Sequence, residues 1–308
     1  MNQLNKLPIN FQKTNLLKRI YSINIEDNYL YEYLDKVRNI SVRDIEYIPY
    51  FRFLMAREFE QIFKIKDTLL NVLNERETSA ILINCNHCDI NEDPHIKIST
   101  AISHLLGIPN IDPLSGKHYG IFTIKDTDLQ VPNLLRPYEA FKMHTDGAYM
   151  KKVPDWIFFM KMEERRATGG QSKLLHIDDW NDFDYFYNHP INKNTVKFLS
   201  HPDSKTAMVS QPDNDENSGI YSSLLNINDL HKSIRFVDRF IHPKNLEEAE
   251  FIYEFQNSLE NSKGILEIDI PVGCILIVNN HRWLHGRQQF GIDSGLTRKL
   301  MRQRGNWA

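Results

Sequence analysis

Three side chains in this sequence could share one metal ion. In Met143-His144-Thr145-Asp146-Gly147 an imidazole and a carboxylate stand two positions apart. On an extended strand, where side chains alternate, that spacing points both to one face. A lone His-x-Asp arises often by chance, so it gains meaning only with a further ligand. Trp283-Leu284-His285-Gly286-Arg287 supplies one, after a continuously apolar run at 274–278 and the turn-forming Asn279-Asn280, where a sheet is expected to end. Two imidazoles and a carboxylate on one side of an ion leave the opposite positions open, the facial triad used by iron(II) oxygenases. Zinc hydrolysis uses the same ligands, and the ligand types alone leave that alternative open.

The last strand, at 296–304, separates two sets of side chains. Leu296, Arg298, Leu300, Arg302 and Arg304 fall on one face, and Thr297, Lys299, Met301 and Gln303 on the other. If the arginine face points inward, each guanidinium needs a partner, because breaking a buried ion pair typically costs ~3–5 kcal/mol. A dicarboxylic ligand would supply such partners, and arginine matches a carboxylate with two parallel hydrogen bonds. Thr168-Gly169-Gly170-Gln171-Ser172 reads as a glycine turn entering a strand on which Ser172, Leu174 and His176 share a face. Ser172 could donate to a carboxylate.

These groups need a scaffold, and the pattern around them is that of short strands. Runs at 119–125, 140–149, 156–162, 172–177 and 264–270 read as strands, the last with Leu266, Ile268 and Ile270 alternating with Glu267 and Asp269, while 274–278 is apolar throughout and suits a strand buried on both faces. Before them the chain reads as helical, with amphipathic stretches starting at Asp27, over 51–74, and over 94–107. Two more helices interrupt the strands, at 178–187 and 245–259. The expected fold is therefore α+β with a mainly β core, a jelly roll or sandwich with flanking helices. One domain is expected over 1–308, with 1–118 a helical flank and 119–308 the core. The polar segment 201–219 reads as a long loop of the kind that often covers a site.

Composition narrows the class. A chain of 308 residues with 41% hydrophobic and 25% charged residues and a formal charge of -3 has no basic excess for nucleic acid. Neither a signal peptide nor a membrane span is legible, so a cytoplasmic protein is expected. The three cysteines, Cys85, Cys88 and Cys274, an odd and small number for this length, argue against a disulfide framework. Cys85-Asn86-His87-Cys88 resembles half of a zinc knuckle, without the second Cys pair that would complete it. A non-catalytic jelly roll that binds an anionic metabolite remains the alternative outside enzymes.

Read in order, His144-Thr145-Asp146-Gly147, the stretch from Gly169-Gly170-Gln171-Ser172 to Asp179-Trp180, Trp283-Leu284-His285-Gly286-Arg287 and Leu300-Met301-Arg302-Gln303-Arg304-Gly305 resemble the bacterial carbon-starvation-induced glutarate 2-hydroxylase family. The resemblance runs from about Tyr119 to Gly305. It implies a double-stranded β-helix and an iron(II)/2-oxoglutarate-dependent dioxygenase of the clavaminate synthase type, which hydroxylates glutarate to L-2-hydroxyglutarate in lysine breakdown and releases succinate and CO2. It implies Fe(II), 2-oxoglutarate and dioxygen as cofactor and co-substrates, and a homotetramer. By the same resemblance His144, Asp146 and His285 are the iron ligands, Ser172 helps bind 2-oxoglutarate, and Arg302 and Arg304 clamp the carboxylates of co-substrate and substrate, with Arg298 left to a structural role. Ala148 after Gly147, and His281-Arg282 before Trp283, depart from the family wording beside the metal site.

Overall fold

A computed structural model of the chain describes residues 9–13, 19–85, 92–127, 136–199, 219–228 and 231–308. Residues 86–88 of the Cys-Asn-His-Cys segment and 201–218 of the expected loop lie outside the described residues.

The chain opens with strands β1 (Ile9–Lys13) and β2 (Tyr21–Ile25), followed by helices α1 (Asp27–Lys36), α2 (Val42–Tyr47), α3 (Pro49–Phe63) and α4 (Lys66–Asn74), strand β3 (Ala80–Asn84) and helix α5 (Glu92–Leu106). The helical stretch expected over 51–74 is thus two helices. They break where Lys64 takes a left-handed conformation at φ 48° and the Glu60 carboxylate caps the backbone N–H groups of Ile65 and Lys66. The first third is also more than a helical flank, because β1, β2 and β3 extend the larger sheet.

Strands β4 (Gly107–Pro109), β5 (Gly120–Lys125), β6 (Phe141–His144), β7 (Trp156–Arg165) and β8 (Ser172–His176) come next. Short pairs follow, β9 (Val196–Phe198), β10 (Ile220–Ser222), β11 (Leu225–Asn228), β12 (His231–Ile234) and β13 (Ile241–His242). After the helix Leu246–Glu260 come β14 (Leu266–Ile268), β15 (Ile275–Asn279), β16 (Trp283–Arg287) and β17 (Thr297–Trp307). The helix expected from Asp178 starts later: a 3-10 turn at Ile177–Asp179 precedes Phe183–Asn188, and Pro190 opens a further short helix as its first residue, where a missing N–H costs nothing.

Two sheets face each other in the jelly-roll arrangement. The larger runs β1-β2-β3-β15-β7-β17-β4, with β5 also paired to β17, and the smaller runs β14-β8-β16-β6. Alternation sorts their side chains into three layers. Ile275 and Ile277 of β15 join Phe158, Met160 and Met301 under the helices α1–α5, while Leu276 and Val278 point between the sheets with Ile157, Leu174 and Trp283. The apolar run of β15 is therefore buried on both faces, as its composition requires. Met143, Leu175 and Leu284 of the smaller sheet face outward and are covered by Phe251, Phe255 and Leu259 of the helix Leu246–Glu260. Among the described residues no helix is long and apolar enough to cross a membrane.

Candidate active site

The inward faces of seven strands line one pocket between the sheets. His144, His285, Arg287, Ser172 and Leu174 come from the smaller sheet, and Phe159, Leu276, Arg298, Leu300 and Arg302 from the larger, with Phe122 and Ile124 of β5. The alternation of β17 survives because the irregularity in its pairing with β7 skips Met162 on β7, leaving β17 regular. Arg298, Leu300 and Arg302 thus share the inward face and Met301 lies in the core behind it.

His144 and His285 stand opposite each other in the β6–β16 pair, with ring centroids 4.3 Å apart. The sheet does not end before His285, as the sequence suggests; 283–287 forms the strand between β6 and β8. Asp146 also differs from expectation. The strand stops at His144, so the pleat does not align Asp146 with it; a turn does. Gly147 holds φ at +67°, and a Cβ there would lie 2.7 Å from Cδ of Pro154. The Asp146 N–H donates to Oδ1 of Asn280 and the Asn280 amide donates to the carbonyls of Asp146 and Pro154, each at 2.9 Å. Asn280, a turn former in the sequence, instead ties the Asp146 turn to the start of β16.

One ligand atom from each of His144, Asp146 and His285 lies within 4.8 Å of the others. The donor set fits iron(II). His144 donates Nδ1–H to the carbonyl of Lys142 at 2.8 Å, which leaves Nε2 with its lone pair 3.7 Å from Asp146 Oδ1. His285 Nδ1 is buried with no hydrogen-bond partner among the described residues. Burial, then the neighbouring His144 and Arg302, hold His285 well below the ordinary histidine range, so it is neutral and able to ligate. Burial opposes ionisation of Asp146, but Arg302, the His144 contact and Arg304 outweigh it and hold the carboxyl well below its usual range.

The arginines divide by position. Arg302 places Nη1 3.2 Å from Asp146 Oδ2 and Nη2 3.2 Å from Asp112 Oδ2, with its guanidinium over the Phe122 ring, and it lines the pocket. Arg304 lies 3.7 Å from Asp146 Oδ2 and is not among the pocket-lining residues. At the other end of the pocket Ser172 pairs across the strands with Arg287, and Arg298 enters from β17. Arg298 donates to the carbonyl of Gly170 at 2.6 Å. Gly170 is required there: at φ +70°, a Cβ would fall 2.0 Å from the Phe290 ring, over which Arg287 and Arg298 both lie. Arg287 donates Nη2 to the carbonyls of Arg136 and Glu139, while its Nε and Nη1 are buried without an acceptor among the described residues; Nε of Arg298 makes no hydrogen bond there and faces Glu164 Oε1 at 3.9 Å. Burial and the nearby Arg298 push the Arg287 pKa down to about 10, still leaving it charged at neutral pH. The sequence signal for Arg287 was its place two residues from His285, which becomes a shared face once 283–287 is a strand.

The fold is shared with solved non-haem iron oxygenases. Asparagine oxygenase in complex with Fe(II), 2S,3S-3-hydroxyasparagine and succinate superposes with a TM-score of 0.72 at 12% identity over 92% of this chain and 93% of that one. The oxygenase OrfP in complex with Fe and alpha-ketoglutaric acid gives 0.67 at 15% identity over 92% of this chain and 94% of that one. Jelly roll and His-Asp-His cluster together are those of a mononuclear iron oxygenase. The family model described as CsiD matches residues 9–307, so the chain belongs to the CsiD family and is a 2-oxoglutarate-dependent dioxygenase.

Proposed function

We propose that the chain hydroxylates a small dicarboxylate, glutarate to L-2-hydroxyglutarate, while 2-oxoglutarate is converted to succinate and CO2 with one molecule of dioxygen. His144, Asp146 and His285 would hold the iron. When bound, iron(II) supplies the activation of dioxygen and the oxidation of 2-oxoglutarate.

The observation that carries this reading is the pair of buried Arg287 nitrogens, Nε and Nη1, that find no acceptor among the described residues, beside Ser172 and one strand step from His285, with Arg298 next to them. Buried donors of this kind call for an anion. A five-carbon dicarboxylate with one end at the metal ligands can set its other carboxylate against Arg287, Arg298 and the Ser172 hydroxyl. Phe159, Leu174, Leu276 and Leu300 line the space between and exclude water from the methylene chain. This favours Arg298 and Arg287 as the co-substrate anchors. Arg302, on the metal side of the pocket over Phe122, is then the cation for the substrate carboxylate. Arg304, behind Asp146, would serve the ligand instead of either carboxylate. The polar grip at each end and the short apolar span favour a small dicarboxylate, and the family resemblance favours glutarate.

The deciding experiment mixes anaerobic, iron-loaded protein with 2-oxoglutarate and a panel of dicarboxylates, then admits oxygen. Succinate and hydroxylated product should form in equal amounts with glutarate and fall off for shorter and longer chains. Succinate that tracks no member of the panel would reject the substrate assignment. A homotetramer is the assembly this reading carries, and light scattering of the purified protein checks it.

A further inference from the structure

One peptide unit links the His144 ring to a carboxylate on a distant helix. The carbonyl of Lys142 accepts Nδ1–H of His144 at 2.8 Å, and the N–H of the same peptide unit, that of Met143, donates to Oε1 of Glu260 at 2.6 Å. Glu260 is the last residue of the helix Leu246–Glu260. Its Oε1 also accepts from Nε2 of Gln256 at 2.8 Å, and its Oε2 takes the ammonium of Lys173, a buried residue of β8.

The strand that carries His144 is the edge of the smaller sheet, so among the described residues no further strand receives the Met143 N–H. A carboxylate takes that place. The negative charge matters beyond satisfying a donor. An anion on the N–H side of an amide pushes electron density toward its carbonyl, and hydrogen bonds in series strengthen one another. The Lys142 carbonyl becomes a better acceptor for Nδ1–H, which fixes the ring and raises the basicity of Nε2. A mere brace between helix and strand would work as well with a neutral amide oxygen.

We infer that Glu260 is a positioning residue for the metal centre, acting on His144 through the 142–143 peptide unit, with Lys173 and Gln256 holding its carboxylate in place. The inference rests on His144 being a ligand. Glu260→Gln keeps an oxygen for the Met143 N–H and removes the charge; because it leaves the Lys173 ammonium buried alone, the double variant Lys173→Met/Glu260→Gln is made beside it. Three quantities are measured: unfolding of the metal-free protein, the Fe(II) dissociation constant by anaerobic titration, and the charge-transfer absorption of the Fe(II)–2-oxoglutarate complex.

The double variant should unfold as the wild type does when metal-free, bind Fe(II) ~10-fold more weakly, in the range seen for lost partners of metal-bound histidines, and shift the absorption band. Wild-type affinity and an unshifted band in the folded double variant would overturn the relay. His144→Ala separates the two levels. If it binds Fe(II) as the wild type does, the ligand reading fails; if it loses iron while the double variant does not, only the relay fails.

Discussion

His285 sits directly across the strand pair from His144, and Arg287, two residues on, sits directly across from Ser172. One strand therefore carries the histidine proposed as a metal ligand and the arginine proposed as a carboxylate anchor on the same face, a strand step apart, and sets how long a molecule can reach from one to the other.

That relationship predicts how the arginines separate kinetically. Arg298→Met and Arg287→Met should each raise the KM for 2-oxoglutarate by roughly 10–100-fold, the loss expected for a hydrogen bond to a charged group at ~1.5–3 kcal/mol. The KM for the dicarboxylate substrate should change little. Arg302→Met should do the reverse. Steady-state rates with each reactant varied in turn decide between this division and a shared role.

Asp146→Asn removes a carboxylate 3.2 Å from Arg302, which keeps Asp112, and 3.7 Å from Arg304, and with it the anionic member of the proposed metal set. Iron content after reconstitution should fall to background. Unfolding free energy should drop by an amount on the order of 3 kcal/mol, because two guanidinium groups are left against a neutral amide. Urea titration of the metal-free variant reads the second effect without the first.

Asn280→Ala cuts the three bonds that tether the Asp146 turn and Pro154. The orphaned Asp146 N–H is buried, so a stability loss of ~1–3 kcal/mol is expected, with weaker Fe(II) binding as the turn loosens. A variant with lowered thermal stability but wild-type iron affinity would mean that Gly147 and Pro154 hold the turn unaided.

Acid should destabilise the fold through its buried histidines. Burial, with Arg19 and Arg282 nearby, pulls the His176 pKa from 6.5 down to about 4. Burial likewise lowers His104 to about 4 and His118 to about 2. Each is neutral when folded, whereas the unfolded chain takes up a proton near pH 6.5, so stability is full above 6.5 and declines as pH falls from there toward 4. His176 Nδ1 accepts from the Asp178 N–H. His176→Asn can keep that acceptor and removes the titration, and it should flatten the decline in urea midpoint measured over this range.

Much of the scaffold was legible because local patterns have local causes. The unbroken apolar run of β15 needs cover on both faces, and the alternation of arginine and leucine on β17 survives because the irregularity lies on its neighbour. The strands β1 and β2 escaped because they are short and the strand that joins them to the sheet, β3, pairs with β2 from more than fifty residues on. The extra helix break at Lys64 depends on a carboxylate, Glu60, turning back to cap the next helix.

By residue type and spacing, the sequence determined that His144, Asp146 and His285 could form a metal site in a β scaffold and that an inward arginine face would attend it. Tertiary structure alone decided how Asp146 joins the histidines, since a turn fixed by Gly147 and bonded to Asn280, 134 positions away, does what strand pleating does not. It also decided which arginines look into the pocket and which stand behind Asp146. Face alternation puts Arg298, Arg302 and Arg304 on one side of a strand, but only the curvature and pairing of two sheets set Arg298 beside Ser172 and Arg287, and Arg302 and Arg304 against Asp146.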